Sequence, residues 1–127
     1  PLFRYPWAQA KAAVSAAPVD VDGARRVRYA NPINGGPVLP TMGAYLSLLP
    51  KGFASEPYRS TDGTILVCIE GKGSTQLEDK KLEWGPNDVF VIPPWKRYTH
   101  HASDESVLFS ISDLPAQQAL GIWREGK

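Results

Sequence analysis

The sequence predicts an all-β fold, a sandwich or barrel with one short helix at each end. Three observations support this. About six short runs rich in β-branched and aromatic residues succeed one another. Clusters of Gly, Pro, Asn and Asp punctuate them. Helix-forming composition is confined to the two ends. At 127 residues, with 43% hydrophobic and 21% charged residues, the chain suits one compact domain with a real core.

Pro6 to Ala17, "PWAQAKAAVSAA", reads as a helix, because Pro suits a first turn and Ala dominates the residues after it. Pro18 breaks it. Arg25-Arg26-Val27-Arg28 reads as a short solvated connector ahead of the first strand. Asn31 to Thr41, "NPINGGPVLPT", is too dense in Pro and Gly for anything but turns or irregular edge structure. Strands are expected at Met42–Leu49, Thr64–Glu70, Ser74–Glu78, Lys81–Trp84, Asp88–Ile92 and Ser106–Ser112, with Asp79-Lys80 as a two-residue hairpin turn. Asp113-Leu114-Pro115 is a helix start. A short terminal helix is expected over Ala116 to Trp123, with Leu120 and Trp123 anchoring it.

Composition excludes several functions. Fourteen Lys and Arg against 13 Asp and Glu give no electrostatic footprint for nucleic acid or an anionic membrane. No apolar stretch approaches the roughly 20 residues that cross a bilayer, and no signal-peptide pattern opens the chain. Cys68 is the only cysteine, so no internal disulfide can form; within "ILVCI" a buried inert thiol is expected, and a cytoplasmic setting fits. There is no phosphate loop and no Ser-His-Asp arrangement. Glu56 and Glu70 read as surface carboxylates. Trp84, Phe90, Trp95 and Tyr98 read as core or interface aromatics.

The stretch "GFASEPYRSTDGTILVCIEG" carries a frame of spacings. Gly52 is followed by five residues, Tyr58, one residue, Ser60, three residues, Thr64, six residues and Gly71. Further on, Asn87 is followed by five residues, Pro93, one residue, Trp95, two residues and Tyr98. These spacings resemble the two motifs of the cupin superfamily, whose fold is a double-stranded β-helix or jelly-roll barrel. In the superfamily, glycines stand where Gly52, Gly71, Asn87 and Trp95 stand here. Histidine, histidine, glutamate and histidine stand where Tyr58, Ser60, Thr64 and Tyr98 stand. Ser and Thr hydroxyls are poor metal ligands, and a phenol must first lose a proton with a pKa near ~10. The expectation is therefore a frame without a metal. Tyr58, Ser60, Thr64, Tyr98 and His100 become degenerate slots lining a pocket. By strand alternation His100 faces inward with Tyr98, while His101 faces outward and Arg59 faces away from the slots.

"NPINGGPVLPT", "LLPKGFASEPYRSTDGT", "WGPNDVFVIPPW" and "LFSISDLPAQQALGIWRE" resemble, in this order, the carboxy-terminal cupin of gentisate 1,2-dioxygenases, and "PLFRYPWAQAKAAV" resembles the connector between their two cupins. The resemblance implies residues 1–30 as interdomain connector and 31–127 as cupin domain, with Pro1 inside a longer polypeptide. It also implies a parent that cleaves the ring of gentisate to maleylpyruvate with Fe(II) and oxygen, related members taking salicylate or hydroxynaphthoate. The iron belongs to the preceding catalytic cupin, so this domain would carry no cofactor and no catalytic residue. Its expected role is structural, as partner of that cupin and of further copies in a homo-oligomer. Two alternatives stay open: a stand-alone cupin binding a small aromatic or organic acid, and a metal-dependent enzyme using His100.

Overall fold

In the computed structural model of the chain, residues 7–18, 24–29, 42–55, 57–78 and 80–126 are described. The expected turn segment at 31–41, the amino-terminal Pro1, Glu56 and the hairpin residue Asp79 lie outside them. The Ala-rich segment forms helix α1 (Trp7–Ala16). Ten strands come after it: β1 (Arg25–Arg28), β2 (Gly43–Leu49), β3 (Arg59–Ser60), β4 (Thr64–Glu70), β5 (Gly73–Leu77), β6 (Lys81–Trp84), β7 (Val89–Ile92), β8 (Tyr98–Ala102), β9 (Ser106–Ser112) and β10 (Glu125–Gly126). Helix α2 (Leu114–Ala119) lies between β9 and β10.

All pairings are antiparallel. A five-stranded sheet runs β1-β2-β9-β4-β7, a three-stranded sheet runs β6-β5-β8, and β3 pairs with β10 as a two-stranded ribbon. The six expected strands are all present within a residue or two. Arg25–Arg28 differs from expectation: it is an edge strand, not a connector. Val27 sits opposite Leu46 on β2, and Arg25 donates to the Ala17 carbonyl that closes α1.

Period-two alternation sends one set of side chains between the two sheets. Leu49, Leu66, Cys68, Phe90, Ile92 and Leu108 from the large sheet meet Leu77, Trp84 and Ala102 from the small one. Trp84 and Phe90 stack with centroids 6.1 Å apart and planes 5° apart. The outer face of the large sheet carries a second cluster, where Val14 of α1 is fully buried against Leu46 and Val107. Lys11 pins the helix to Glu70 through a 2.6 Å ion pair, both partners being half-exposed. α1 is therefore a cover for part of one sheet, which explains an Ala-rich helix with a single large buried side chain. Two facing antiparallel sheets with short helices make a cupin-like fold.

The corners explain which residues hold the sheets in place. Gly71 takes φ +89° in a site where a Cβ would fall 2.5 Å from the Glu105 carbonyl and 2.6 Å from Ser106 Cα, so only glycine fits. Leu120, expected as an anchor of the terminal helix, is 73% exposed. The anchor is Trp123, whose indole N–H donates to Asp62 at 2.9 Å.

Candidate functional site: a hydroxyl-lined cavity between the sheets

One cavity of about 930 Å³ opens between the sheets. Strands β2, β4 and β9 supply Leu49, Leu66 and Leu108 to its apolar floor. Tyr58, Ser60, Thr64, Tyr98 and His100 all line it, so the fold brings the five residues of the degenerate slots to one place. Tyr58 and Tyr98 form an isolated antiparallel bridge, their rings edge-to-face at 5.8 Å. His100 is buried and His101 exposed, as alternation from Tyr98 requires. Arg59 turns away and lays its guanidinium 4.4 Å from the centroid of the Trp95 ring.

The backbone at the motif corners is distinctive. Among the described residues the non-glycines with positive φ are Asn87 (71°) and Trp95 (60°), and the glycines are Gly52 (80°), Gly71 (89°) and, outside the two motifs, Gly121 (71°). The first four stand at the glycine positions of the spacings that resemble the two motifs. A left-handed conformation is easy for glycine, tolerable for asparagine and costly for tryptophan, by roughly 1–2 kcal/mol. At two of these corners the chain makes the turn without a glycine.

Buried hydrogen bonding fixes His100. The Trp84 indole N–H donates to Thr75 Oγ1 at 3.0 Å, and Thr75 Oγ1 lies 2.7 Å from His100 Nδ1. Thr75 is fully buried. Thr75 Oγ1 thus joins the indole to the imidazole in one buried chain of hydrogen bonds. The His100 backbone N–H donates to Ser55 Oγ at 2.7 Å. The ring is held in the core by a tryptophan–threonine relay, a structural device.

The hydroxyls of the slots are committed to carboxylates. Tyr58 donates to Glu125 at 2.7 Å. Burial, then Glu125 beside it, push the Tyr58 phenol far above its ordinary value. Thr64 donates to Asp62 at 3.3 Å, and Ser60 bonds the same carboxylate. Asp62 is itself buried, only 8% exposed. Burial alone would raise its pKa, but donation from Ser112, Ser60 and Trp123 outweighs that and holds it below the usual carboxylate range. Cys68 is fully buried, and burial followed by the nearby Asp88 charge push its thiol up to about 11. It is no nucleophile.

This donor set does not fit Fe(II). Such an ion needs neutral imidazoles and a carboxylate converging with open positions. Here the slots offer one phenol that resists ionisation, two aliphatic hydroxyls bonded to Asp62, and a second tyrosine. Among the described residues no three His, Cys, Asp or Glu side chains gather around one point.

Sequence reasoning missed Asp62 and Glu125, and with them the partner that Trp123 finds. Asp62 lies in "STDGT", where Asp-Gly signals an exposed turn. Its burial depends on donors 50 and 61 residues away. No local signal announces it.

No family model matches the chain. It is 41% identical over its whole length to gentisate 1,2 dioxygenase 1 of Aquipseudomonas alcaligenes, covering 38% of that protein. Over 98% of its length it is 39% identical to 5-aminosalicylate 1,2-dioxygenase of Comamonas sp, covering 35% of it. Among solved structures, salicylate 1,2-dioxygenase from Pseudaminobacter salicylatoxidans superposes with a TM-score of 0.88 at 26% identity, over 96% of this chain and 38% of that one. The chain thus spans little more than a third of the length of the curated relatives it matches.

Proposed function

The chain is a homologous segment of the gentisate/salicylate 1,2-dioxygenase family, and on that premise we propose that it is the metal-free, carboxy-terminal cupin of such an enzyme. In this reading residues 1–30 serve as connector, residues 31–127 form a jelly-roll barrel, and the preceding cupin of the same polypeptide performs the reaction. The parent would be a cytoplasmic homo-oligomer that uses Fe(II) and oxygen to open the ring of gentisate or a related aromatic acid. The present segment would act by supporting that cupin and the assembly.

One observation carries the reading. The chain is left-handed at the four corners of the motif-like spacings, while the positions that would carry ligands in this reading hold Tyr58, Ser60, Thr64 and Tyr98. Three of these are bonded to Glu125 or Asp62. A carboxylate that accepts from hydroxyls and an indole stays ionised but has its oxygen lone pairs occupied by those donors, so a cation would have to displace them.

The test is made on the full-length parent enzyme. Iron is counted per chain, and turnover is measured for the parent and for His100→Ala and Tyr98→Phe. The expected result is one iron per chain in all three and turnover within about two-fold, as for residues outside the chemistry. A second bound equivalent of metal, lost in His100→Ala, would refute the metal-free reading.

A further inference from the structure

The outer face of the large sheet is apolar beyond the reach of α1. Val14 and its neighbours cover the half built by β1, β2 and β9, ending at Ile69 and Phe109. The half built by β4 and β7 is open: Ile65 is 46% exposed, Val89 63% and Val91 52%. Strand register makes these residues one surface. Ile65 sits opposite Val91 on one side and Ile111 on the other, and Val67 opposite Val89 and Phe109. Facing Cα partners share a face, so two cross-strand rows, Val91-Ile65-Ile111 and Val89-Val67-Phe109, carry no polar atom in their side chains.

The opposite faces of β4 and β7 are equally apolar, with Leu66, Cys68, Phe90 and Ile92 all in the core. An antiparallel sheet with one solvated face alternates apolar and polar residues; strands apolar on both faces belong to a sheet covered on both. β7 is also the outermost strand of its sheet, with neither Lys nor Pro inside "VFVI" to blunt it.

We propose that this open half-face is the seat of the catalytic cupin of the same polypeptide, which would bring a neutral apolar surface to it. The proposal rests on the reading of the chain as a supporting cupin and says where the support is given. A second copy is the weaker occupant on size. The patch amounts to a few hundred Å² at most, whereas free partners that associate stably bury about 800 Å² each. A tethered domain needs far less, because the linker supplies an effective concentration in the millimolar range. The family members of known length are between two and three times as long as this chain, which spans 35–38% of them. α1, the first described element, lies on this same face, so polypeptide joined ahead of it starts from the right side of the sheet.

The experiment is thiol labelling in the full-length parent enzyme. Within this segment Cys68 is buried with a raised pKa, and labelling is read site by site by peptide mass spectrometry so that cysteines elsewhere in the parent do not count. Val89→Cys and Val91→Cys are compared with Glu83→Cys, an exposed position on β6 of the other sheet, each variant first matched to the parent in thermal unfolding. Maleimide should label positions 89 and 91 at least ten-fold more slowly than position 83, and the ratio should not change on hundred-fold dilution. Equal rates would overturn the proposal. Protection that disappears on dilution would also overturn it, assigning the face to a second copy. Iron counted on the same samples separates the two levels: equal labelling with one iron per chain sinks the docking face alone, and a second metal equivalent sinks the supporting-cupin reading.

Discussion

The corners of the spacing frame and the cavity positions between them differ in what their residues do. At Gly52, Gly71, Asn87 and Trp95 the backbone is left-handed, even where the residue is a tryptophan. At Tyr58, Ser60, Thr64 and Tyr98 the side chains line the cavity and meet a carboxylate or a neighbouring ring. The corners are needed to fold, because the chain must reverse there for the sheets to face each other. The ligands are needed only to hold an ion. Folding and chemistry are therefore separable in this molecule, and the separation can be attacked from either side.

The largest effect is expected from restoring the ligand set. If the frame is intact, Tyr58→His, Ser60→His, Thr64→Glu and Tyr98→His together should turn a cavity with no convergent donors into a metal site. Zn²⁺ is the convenient probe, since it accepts imidazole and carboxylate without redox chemistry. Calorimetric titration of the quadruple variant should show one equivalent bound with affinity at least ~1,000-fold above the parent chain. Failure to bind in a folded variant would mean that the corners persist without the geometry they once served.

Breaking the frame should cost stability directly. Gly71→Ala places a methyl against the Glu105 carbonyl and Ser106, and loss of about 3 kcal/mol or more is expected from the clash and the left-handed φ together. Gly52 shares the positive φ, but a methyl added there would meet nothing within 4 Å. Gly52→Ala should cost only about 1 kcal/mol, from the backbone conformation alone. Urea midpoints of the two variants check the contrast.

Asp62 connects the cavity with the chain's end, since it accepts hydrogen bonds from Ser60 and Thr64 and ties the terminal segment through Trp123. Its folded pKa lies below the unfolded value near ~3.9. The stability it contributes is therefore fully present above that value and is lost as pH falls through the folded pKa. Asp62→Asn should lower stability at pH 7 by about 2 kcal/mol, from donors left poorly matched in a buried site. The gap between variant and parent chain should shrink below pH 4, as the parent's carboxyl protonates. A gap independent of pH would show that the carboxylate charge is not what the donors recognise.

Most of the sheet was legible in the sequence because its strands are written in β-branched runs, as in "TILVCIE" and "VFVI", and because alternation from Tyr98 decides between His100 and His101. The motif spacing led to five cavity residues spread along the chain from Tyr58 to His100. The features that stayed hidden have a common physical cause. β1 contains three arginines in four residues, and only Val27 packs, so its membership of the sheet comes from pairing with β2 and not from its own pattern. β3 and β10, two residues each, exist only because they meet. Of the two expected anchors Leu120 is solvent-exposed, while Trp123 holds through a carboxylate far away in sequence that nothing local announces. Long-range partners leave no local mark.

The smallest expected effect is also the cleanest probe of the corner conformation. Trp95 has φ 60°, donates its backbone N–H to the Ser60 carbonyl at 2.7 Å and carries Arg59 stacked on its ring. Replacing the indole removes a cation–π contact worth about 0.5–1 kcal/mol at a partly exposed site, whichever small residue takes its place. Alanine keeps the left-handed penalty, whereas glycine escapes it. Trp95→Gly should therefore be more stable than Trp95→Ala by about 1 kcal/mol, the reverse of the order found in a helix or strand interior, where glycine is the worse residue. The difference between the two variants cancels the lost stacking and isolates the backbone. Equal midpoints in urea, or alanine ahead, would mean that this corner has relaxed out of the left-handed region, and the claim that the frame outlived its ligands would lose its least glycine-like witness.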